Sequence, residues 1–340
     1  MSLPEGVVMD FGVVVPTFGP YWGRPGVIRD AIVAAEDAGL RTAWFGDHIV
    51  IPQYAQHLSP PCWFDALACS MVGAGLTSRI RFAPDVLVLP YRNPVELSQA
   101  LASADQLSGG RMTLAVGVGY ISGEFEAVGA PPYSDRGAVT DEYLAVLRTL
   151  WNGRGPVSYS GRWVSFEDVI PGPLPAQDPL PVLVGGNAAA ALRRAALLGD
   201  GWHPLFPTPQ AYAAGRATIE RLRGKQGRSG GFRYSYSCPP CSVQVRAGER
   251  PPALHRPDDV PDEYRYAPAF PQDAGGRSLF NGTPEQVIAD LRAYQDAGVQ
   301  EVALRLWAGE PGFELPDWLE QLRRFTEHVL PALGASAPGT

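Results

Sequence analysis

The chain has 340 residues, 45% hydrophobic and 19% charged, with a formal net charge of −7, which is enough apolar material for one large core. That acidic balance argues against a nucleic-acid surface, which needs a basic patch, and no run of about 18 apolar residues offers a membrane span. The first residues lack the basic start and apolar stretch of a secretion signal, so a cytoplasmic protein is expected.

Short apolar runs alternate with amphipathic stretches, a pattern that reads as βα units feeding a parallel sheet. Met9–Pro16 is the first strand, and Gly26–Leu40 the first helix, with Gly39 placed for a positive φ at its end. Thr42–Asp47 is the second strand, followed by a helix over Phe64–Leu76 with Asp65 near its start. Ile80–Leu89 is the third strand, Pro94–Leu107 its helix, and Met112–Gly117 the fourth strand. A longer excursion holds a helix at Val139–Trp151 and a small hairpin at Val157–Phe166, with Ser160-Gly161 at its turn. Pro181–Gly185 is the fifth strand and Ala188–Leu198 its helix; Gly201–Leu205 is the sixth, with a helix over Pro209–Leu222. Phe232–Arg246 contains the seventh strand, Pro284–Ala297 its helix, Val299–Trp307 the eighth strand and Pro316–Leu330 the last helix.

Eight strands, each followed by a helix, suit a closed α/β architecture, the (β/α)8 TIM barrel with insertion segments, better than an open doubly wound sheet. The early turns also lack the GxGxxG of a dinucleotide fold. A single domain over 1–333 is expected. Ala247–Ser278 breaks the rhythm, being rich in Pro, Arg, Asp and Gly. It follows the seventh strand and reads as a mobile lid on the C-terminal face, or else as a solvated insertion. The tail Gly334–Thr340 reads as disordered. Cys62, Cys69, Cys238 and Cys241 make no disulfide framework, and Cys238-Pro-Pro-Cys241 lies in a strand-like stretch without a second ligand pair, so no metal site is expected.

In a barrel the strand ends choose the candidates. The second strand ends in Asp47-His48; His48 beside a carboxylate is a candidate proton-transfer group, or a structural hydrogen-bonder. Asp47 orients a ligand or caps the following loop. Gly117, Gly119 and Tyr120 close the fourth strand, where the glycines allow a flat ring to approach or merely serve a turn. Gly185-Gly186-Asn187 sits between a strand and a helix, a ready place for a phosphate. His203 ends the sixth strand. Asp85 is a carboxylate inside an apolar strand, costly unless it meets a partner or a ligand. There is no G-x-S-x-G elbow and no H-E-x-x-H, so hydrolysis and metal chemistry have no support.

TAWFGDHI, RIRFAPDVLVLPYRNPVELSQALASADQLSGGRMTLAVGVGYISGEFEAVG and PVLVGGNAAAALRRAALLGDGWHPL, in this order, resemble the luciferase-like monooxygenase family. The similarity is strong over residues 9–205 and weaker near the C-terminus. It implies a barrel that holds either coenzyme F420, an 8-hydroxy-5-deazaflavin, or FMN, and GDHI leans toward the deazaflavin. By the same resemblance Asp47 and His48 lie by the cofactor ring. Asp85 and Val86 match a bulged third-strand position with a cis peptide behind that ring, which would carry the Asp85 carboxylate out of the barrel wall; the alternative is an ordinary trans strand with Asp85 paired to an arginine, Arg81 or one from a neighbouring strand. Gly185, Gly186 and Asn187 match the loop receiving the cofactor phosphate. Tyr120 and His203 are taken as substrate contacts; Tyr120 stands where the family's sugar-phosphate dehydrogenases have glutamate, which disfavours that substrate. The expected activity is hydride transfer between reduced F420 and a small organic substrate. The alternatives are an FMNH2-dependent monooxygenase supplied by a separate reductase, and a non-catalytic flavin-binding barrel. A homodimer is implied, with neither nucleic acid nor membrane as partner.

Overall fold

The computed structural model describes residues 9–56, 59, 61–246, 248–249, 270–306 and 313–334. Its strands are β1 (Asp10–Val14), β2 (Thr42–Phe45), β3 (Arg81–Pro84), β4 (Leu87–Val88), β5 (Leu114–Gly117), β6 (Val157–Ser160), β7 (Ser165–Val169), β8 (Val182–Gly185), β9 (Gly201–His203), β10 (Arg233–Pro240), β11 (Ser242–Val243), β12 (Asn281–Gly282) and β13 (Glu301–Arg305). The helices are α1 (Gly19–Trp22), α2 (Pro25–Asp37), α3 (Ala66–Leu76), α4 (Pro94–Ser108), α5 (Ser122–Ala127), α6 (Arg136–Asn152), α7 (Ala189–Leu198), α8 (Pro209–Lys225), α9 (Pro284–Asp296) and α10 (Leu315–His328).

The main sheet runs β3-β2-β1-β13-β10-β9-β8-β5-β4, parallel throughout. It begins and ends on one stretch of chain, because β3 and β4 are two halves of the expected third strand. The barrel therefore closes on itself, and a parallel bridge between Phe82 and Met112 completes the seam. The break between the halves falls at the Asp85–Val86 peptide, which is cis. Local chemistry sets the helix starts. Asp65 accepts from the Ala68 N–H, Asn93 from the Val95 N–H and Thr208 from the Ala211 N–H, each satisfying a donor that the first helical turn leaves open. Gly39 takes φ of +75° after α2, as its position in the sequence requires.

Most of the core lies between the barrel wall and the helices, where aromatic and branched side chains from both layers interlock. A second, smaller core fills the barrel itself: Val14, Trp44, Ala83, Ala115, Leu183 and Ala303, one from each of six strands. Three of these are alanine, which leaves room for the Trp44 indole. Gly12 does the same one step down β1, since a Cβ there would sit 2.5 Å from Trp44 Nε1. The barrel interior is thus packed and not a pore.

Sequence periodicity misses α1, α5 and the β11–β12 pair, all too short to show a period. Most of the expected lid over Ala247–Ser278, and the tail beyond Gly334, lie outside the described residues. The lid's described end is tied down: Arg277 pairs with both Asp273 and Asp290. Among the described residues no helix is long and apolar enough to cross a membrane.

Candidate functional site at the barrel mouth

Because the strands are parallel, their C-terminal ends share one face, and the candidate residues gather there. His48 follows β2 and its side chain is 10% exposed. Its Nδ1 lies 2.8 Å from Glu124 Oε2, on α5, and its Nε2 lies 3.2 Å from the Tyr120 hydroxyl. Glu124 is fully buried. It also accepts from the Ile49 N–H at 3.1 Å and from the Tyr91 hydroxyl at 3.2 Å. A carboxylate sealed among three donors is a fixed acceptor. Burial pushes the Tyr120 hydroxyl up to about 12, with the charge of Glu124 adding to the shift and that of Arg305 easing it. Tyr120 therefore stays protonated near neutrality. The Trp63 ring packs 4.9 Å from the imidazole.

Asp47, next in the chain to His48, plays a different part. Its carboxylate is fully buried and receives the Val88 N–H at 2.8 Å and both ends of the Arg92 guanidinium, at 2.7 and 2.8 Å. Arg92 reaches Asp65 as well. Asp47 thus ties β2 to β4 and leaves no carboxylate surface for a ligand.

Asp85 corrects one expectation. Its side chain is not carried out of the wall but points into the barrel, 3% exposed, where β9, β10 and β13 each turn a polar group inward. Arg305 Nη2 lies 2.6 Å away, His203 Nε2 at 2.9 Å and Ser237 Oγ at 3.2 Å. Burial alone would raise this carboxyl, but Arg305, then His203 and Ser237, hold it below the usual range. The costly placement in APDVLVLP is resolved by an ion pair across the lumen.

His203 corrects a second expectation. Its side chain has no exposure; it stacks flat on Trp44 at 4.2 Å, and its Nδ1 meets the Ser235 hydroxyl at 2.8 Å. Sealed under the mouth, it does not present itself to a substrate there.

The glycines are spoken for by protein side chains. A Cβ on Gly117 would lie 2.6 Å from Val86 Cγ2, and one on Gly185 would lie 3.2 Å from Val86 Cγ1. Both glycines make room for Val86, the partly buried apolar residue that caps the lumen core. Gly119 has φ of +78° and a Cβ there would meet Val88 and Phe125 within 3.0 Å. At the other side of the mouth Gly186, φ +101°, leads into α7, where Ala188, the residue just before the helix, offers no side-chain cap. Residues 186–190 are exposed there, so the first N–H groups of α7 face outward. Asn187 donates through Nδ2 to the Leu205 carbonyl at 2.8 Å and braces this turn against the loop after β9.

A sequence model described as luciferase-like monooxygenase matches residues 9–301. The chain belongs to the luciferase-like monooxygenase family. An F420-dependent glucose-6-phosphate dehydrogenase of Amycolatopsis mediterranei is 26% identical over 89% of this chain and 93% of that one. The chain spans about half the length of the first curated relatives it matches, 53% of each at 35% identity. Two solved structures share the fold at TM-score 0.76. They are a monooxygenase from Streptomyces bottropensis, 20% identical with 95% of this chain and 99% of that one covered, and an F420-dependent secondary alcohol dehydrogenase holding an F420–acetone adduct, 18% identical with 96% and 99% covered.

For a luciferase-like barrel the mouth contains groups that the sequence did not single out. Glu124 and Arg305 were passed over because they sit in a helical and a strand stretch with little local to mark them, and Tyr91, among the polar groups ending the third strand, was assigned no role. Only the fold brings them within reach of His48 and Asp85. Glu124 carries the one legible hint, an acidic residue opening the apolar start of α5 within GYISGEFEAVG. Cys238 and Cys241 are free and fully buried, and burial raises both thiols, Cys238 to about 12. They behave as core residues.

Proposed function

We propose that this luciferase-like protein is an oxidoreductase that uses coenzyme F420 to pass hydride to or from a small organic substrate, with His48 moving the accompanying proton. The observation that carries the reading is the His48 imidazole at the mouth, held between the buried Glu124 carboxylate and the Tyr120 hydroxyl. A deazaflavin supplies a hydride equivalent when bound, and a positioned side chain supplies or takes the proton that travels with it. Among the described residues His48 is the imidazole at this mouth with an exposed edge, whereas His203 is sealed beneath it.

The residues present fit such a cofactor. The exposed, uncapped start of α7 after Gly185-Gly186 suits an anionic phosphate, and Val86 offers a partly exposed apolar wall for a flat ring. Asn187 would brace that turn, Gly117 and Gly119 would keep the wall close-packed, and Tyr120 would face the substrate. The proposed setting is the cytoplasm, as a homodimer. If the cofactor is FMN instead, a separate reductase would supply it and the reaction would be oxygenation, the activity in the family's own description.

A side-by-side titration of the cofactor-free protein tests this. Reduced F420 is expected to bind at least about tenfold more tightly than FMN, a difference of about 1.4 kcal/mol. Equal or tighter FMN binding would replace the proposal with the monooxygenase reading.

A further inference from the structure

We propose that Glu124 is a positioning residue that sets which ring nitrogen of His48 carries the proton, so that the Tyr120 hydroxyl becomes the group presenting a proton to the substrate. The chemical part rests on the proposed hydride transfer; the tautomer part stands on geometry alone.

Two of the three polar neighbours of Glu124 among the described residues are donors to it whatever the state of the His48 ring. Ile49 N–H cannot be anything else, and it occupies Oε1. Burial first, then the charge of Glu124, push the Tyr91 hydroxyl far above its ordinary range, so it too stays protonated and donates to Oε2. The third neighbour, His48 Nδ1 at 2.8 Å, must then bear a hydrogen. In the neutral ring Nε2 is consequently a lone pair, and the group it faces at 3.2 Å is the Tyr120 hydroxyl, which donates to it. Among the described residues the nearby charged groups are themselves paired, Asp47 with Arg92, which also reaches Asp65, and Arg305 with Asp85, while the Trp63 ring packs against the imidazole.

The chain of atoms defines a balanced proton path. With a bound deazaflavin that would supply hydride to a substrate carbonyl carbon, the Tyr120 hydroxyl would give the carbonyl oxygen its proton. Tyr120 takes a proton from Nε2 of the His48 imidazolium, which returns to the neutral Nδ1–H ring beside Glu124. In the oxidative direction the oxidised cofactor would take the hydride, the substrate hydroxyl proton would pass to Tyr120 and the Tyr120 proton to Nε2, leaving an imidazolium against the Glu124 carboxylate. Catalytic contact then belongs to Tyr120, with His48 and Glu124 acting through it.

Nitrogen-15 NMR of the ring nitrogens in the cofactor-free protein reads the tautomer directly. Neutral His48 is expected as the Nδ1–H form. In Glu124→Gln the single amide oxygen stays on the Ile49 N–H, the amide nitrogen turns to His48, and the neutral ring is expected to invert to Nε2–H. Tyr120→Phe is expected to keep the wild-type tautomer and lose turnover by roughly tenfold or more. An Nε2–H ring in the wild-type protein overturns the proposal even if the glutamine variant fails to fold. An unchanged tautomer in folded Glu124→Gln, or full turnover in Tyr120→Phe, overturns it too. Since the NMR result needs no cofactor, it is unaffected if the protein turns out to prefer FMN.

Discussion

The two histidines of the barrel have nearly the same surroundings. His48 has a carboxylate on one ring nitrogen and the Tyr120 hydroxyl on the other; His203 has the Asp85 carboxylate on one and the Ser235 hydroxyl on the other. Two differences separate them. His48 retains an exposed edge while His203 has none. The carboxylate beside His203 is matched by the Arg305 cation, while the partners of Glu124 among the described residues are a backbone N–H, a phenol and the imidazole itself. An acid–imidazole–hydroxyl chain is thus not in itself a reactive site. Where an arginine neutralises the acid and side chains seal the ring, the chain is a cross-brace. Where the acid's charge is left for the imidazole and the ring keeps an exposed edge, it can move a proton.

The largest expected effect falls on the sealed brace. Arg305→Met would leave Asp85 buried without its cation, and removing one partner of a buried pair costs about 3–5 kcal/mol. Urea unfolding at neutral pH is expected to show that loss. The pH dependence has a definite sign. Asp85 is held below its ordinary range in the folded protein, so its contribution is present above the unfolded value near about 4 and is lost as pH falls through the lower folded value. The gap between wild type and Arg305→Met should therefore narrow in acid. A gap that widens, or a variant as stable as wild type, would mean that this brace is not what holds the lumen together.

On the open side the expected loss is in rate. His48→Ala is expected to lower turnover roughly 100-fold, about 2.7 kcal/mol, with little change in cofactor affinity. His203→Gln keeps polar contact with Asp85 and is expected to act on thermal stability far more than on kcat. Steady-state kinetics and melting curves on both variants would erase the contrast if the two profiles came out alike.

How much of this was legible beforehand follows from the range of each interaction. The barrel was readable because βα alternation is local, and His48, Gly185 and Gly186 were readable because a parallel barrel puts strand ends on one face. The resemblance supplied the cis peptide at Asp85–Val86, which no periodicity marks. The direction of the Asp85 side chain was misread, since its answer lies 220 positions along the chain in Arg305. Likewise His203 stood at a strand end and looked available, but Trp44 from another strand covers it. Glu124 was missed because its meaning depends on a histidine 76 residues away. Strand ends are written locally; the partners that decide what those ends do are not.

The smallest expected effect sharpens the comparison most, because it touches the acid without touching the imidazole. Tyr91→Phe deletes one donor to Glu124 Oε2 and keeps the ring, which is 8% exposed and packs edge-on against Phe125 at 4.9 Å. Loss of one such hydrogen bond should cost about 1 kcal/mol of stability. Glu124 would still hold the Ile49 N–H and His48 Nδ1, so the imidazole keeps both its tautomer and its place. Turnover is then expected to stay within roughly fivefold of wild type, against the much larger loss for His48→Ala. Melting temperature and kcat measured on the same preparation separate the two effects. If Tyr91→Phe loses as much rate as His48→Ala while remaining folded, the proton path runs through Tyr91 as well, and the open site would be a branched network in which Glu124 links two hydroxyl groups to one ring.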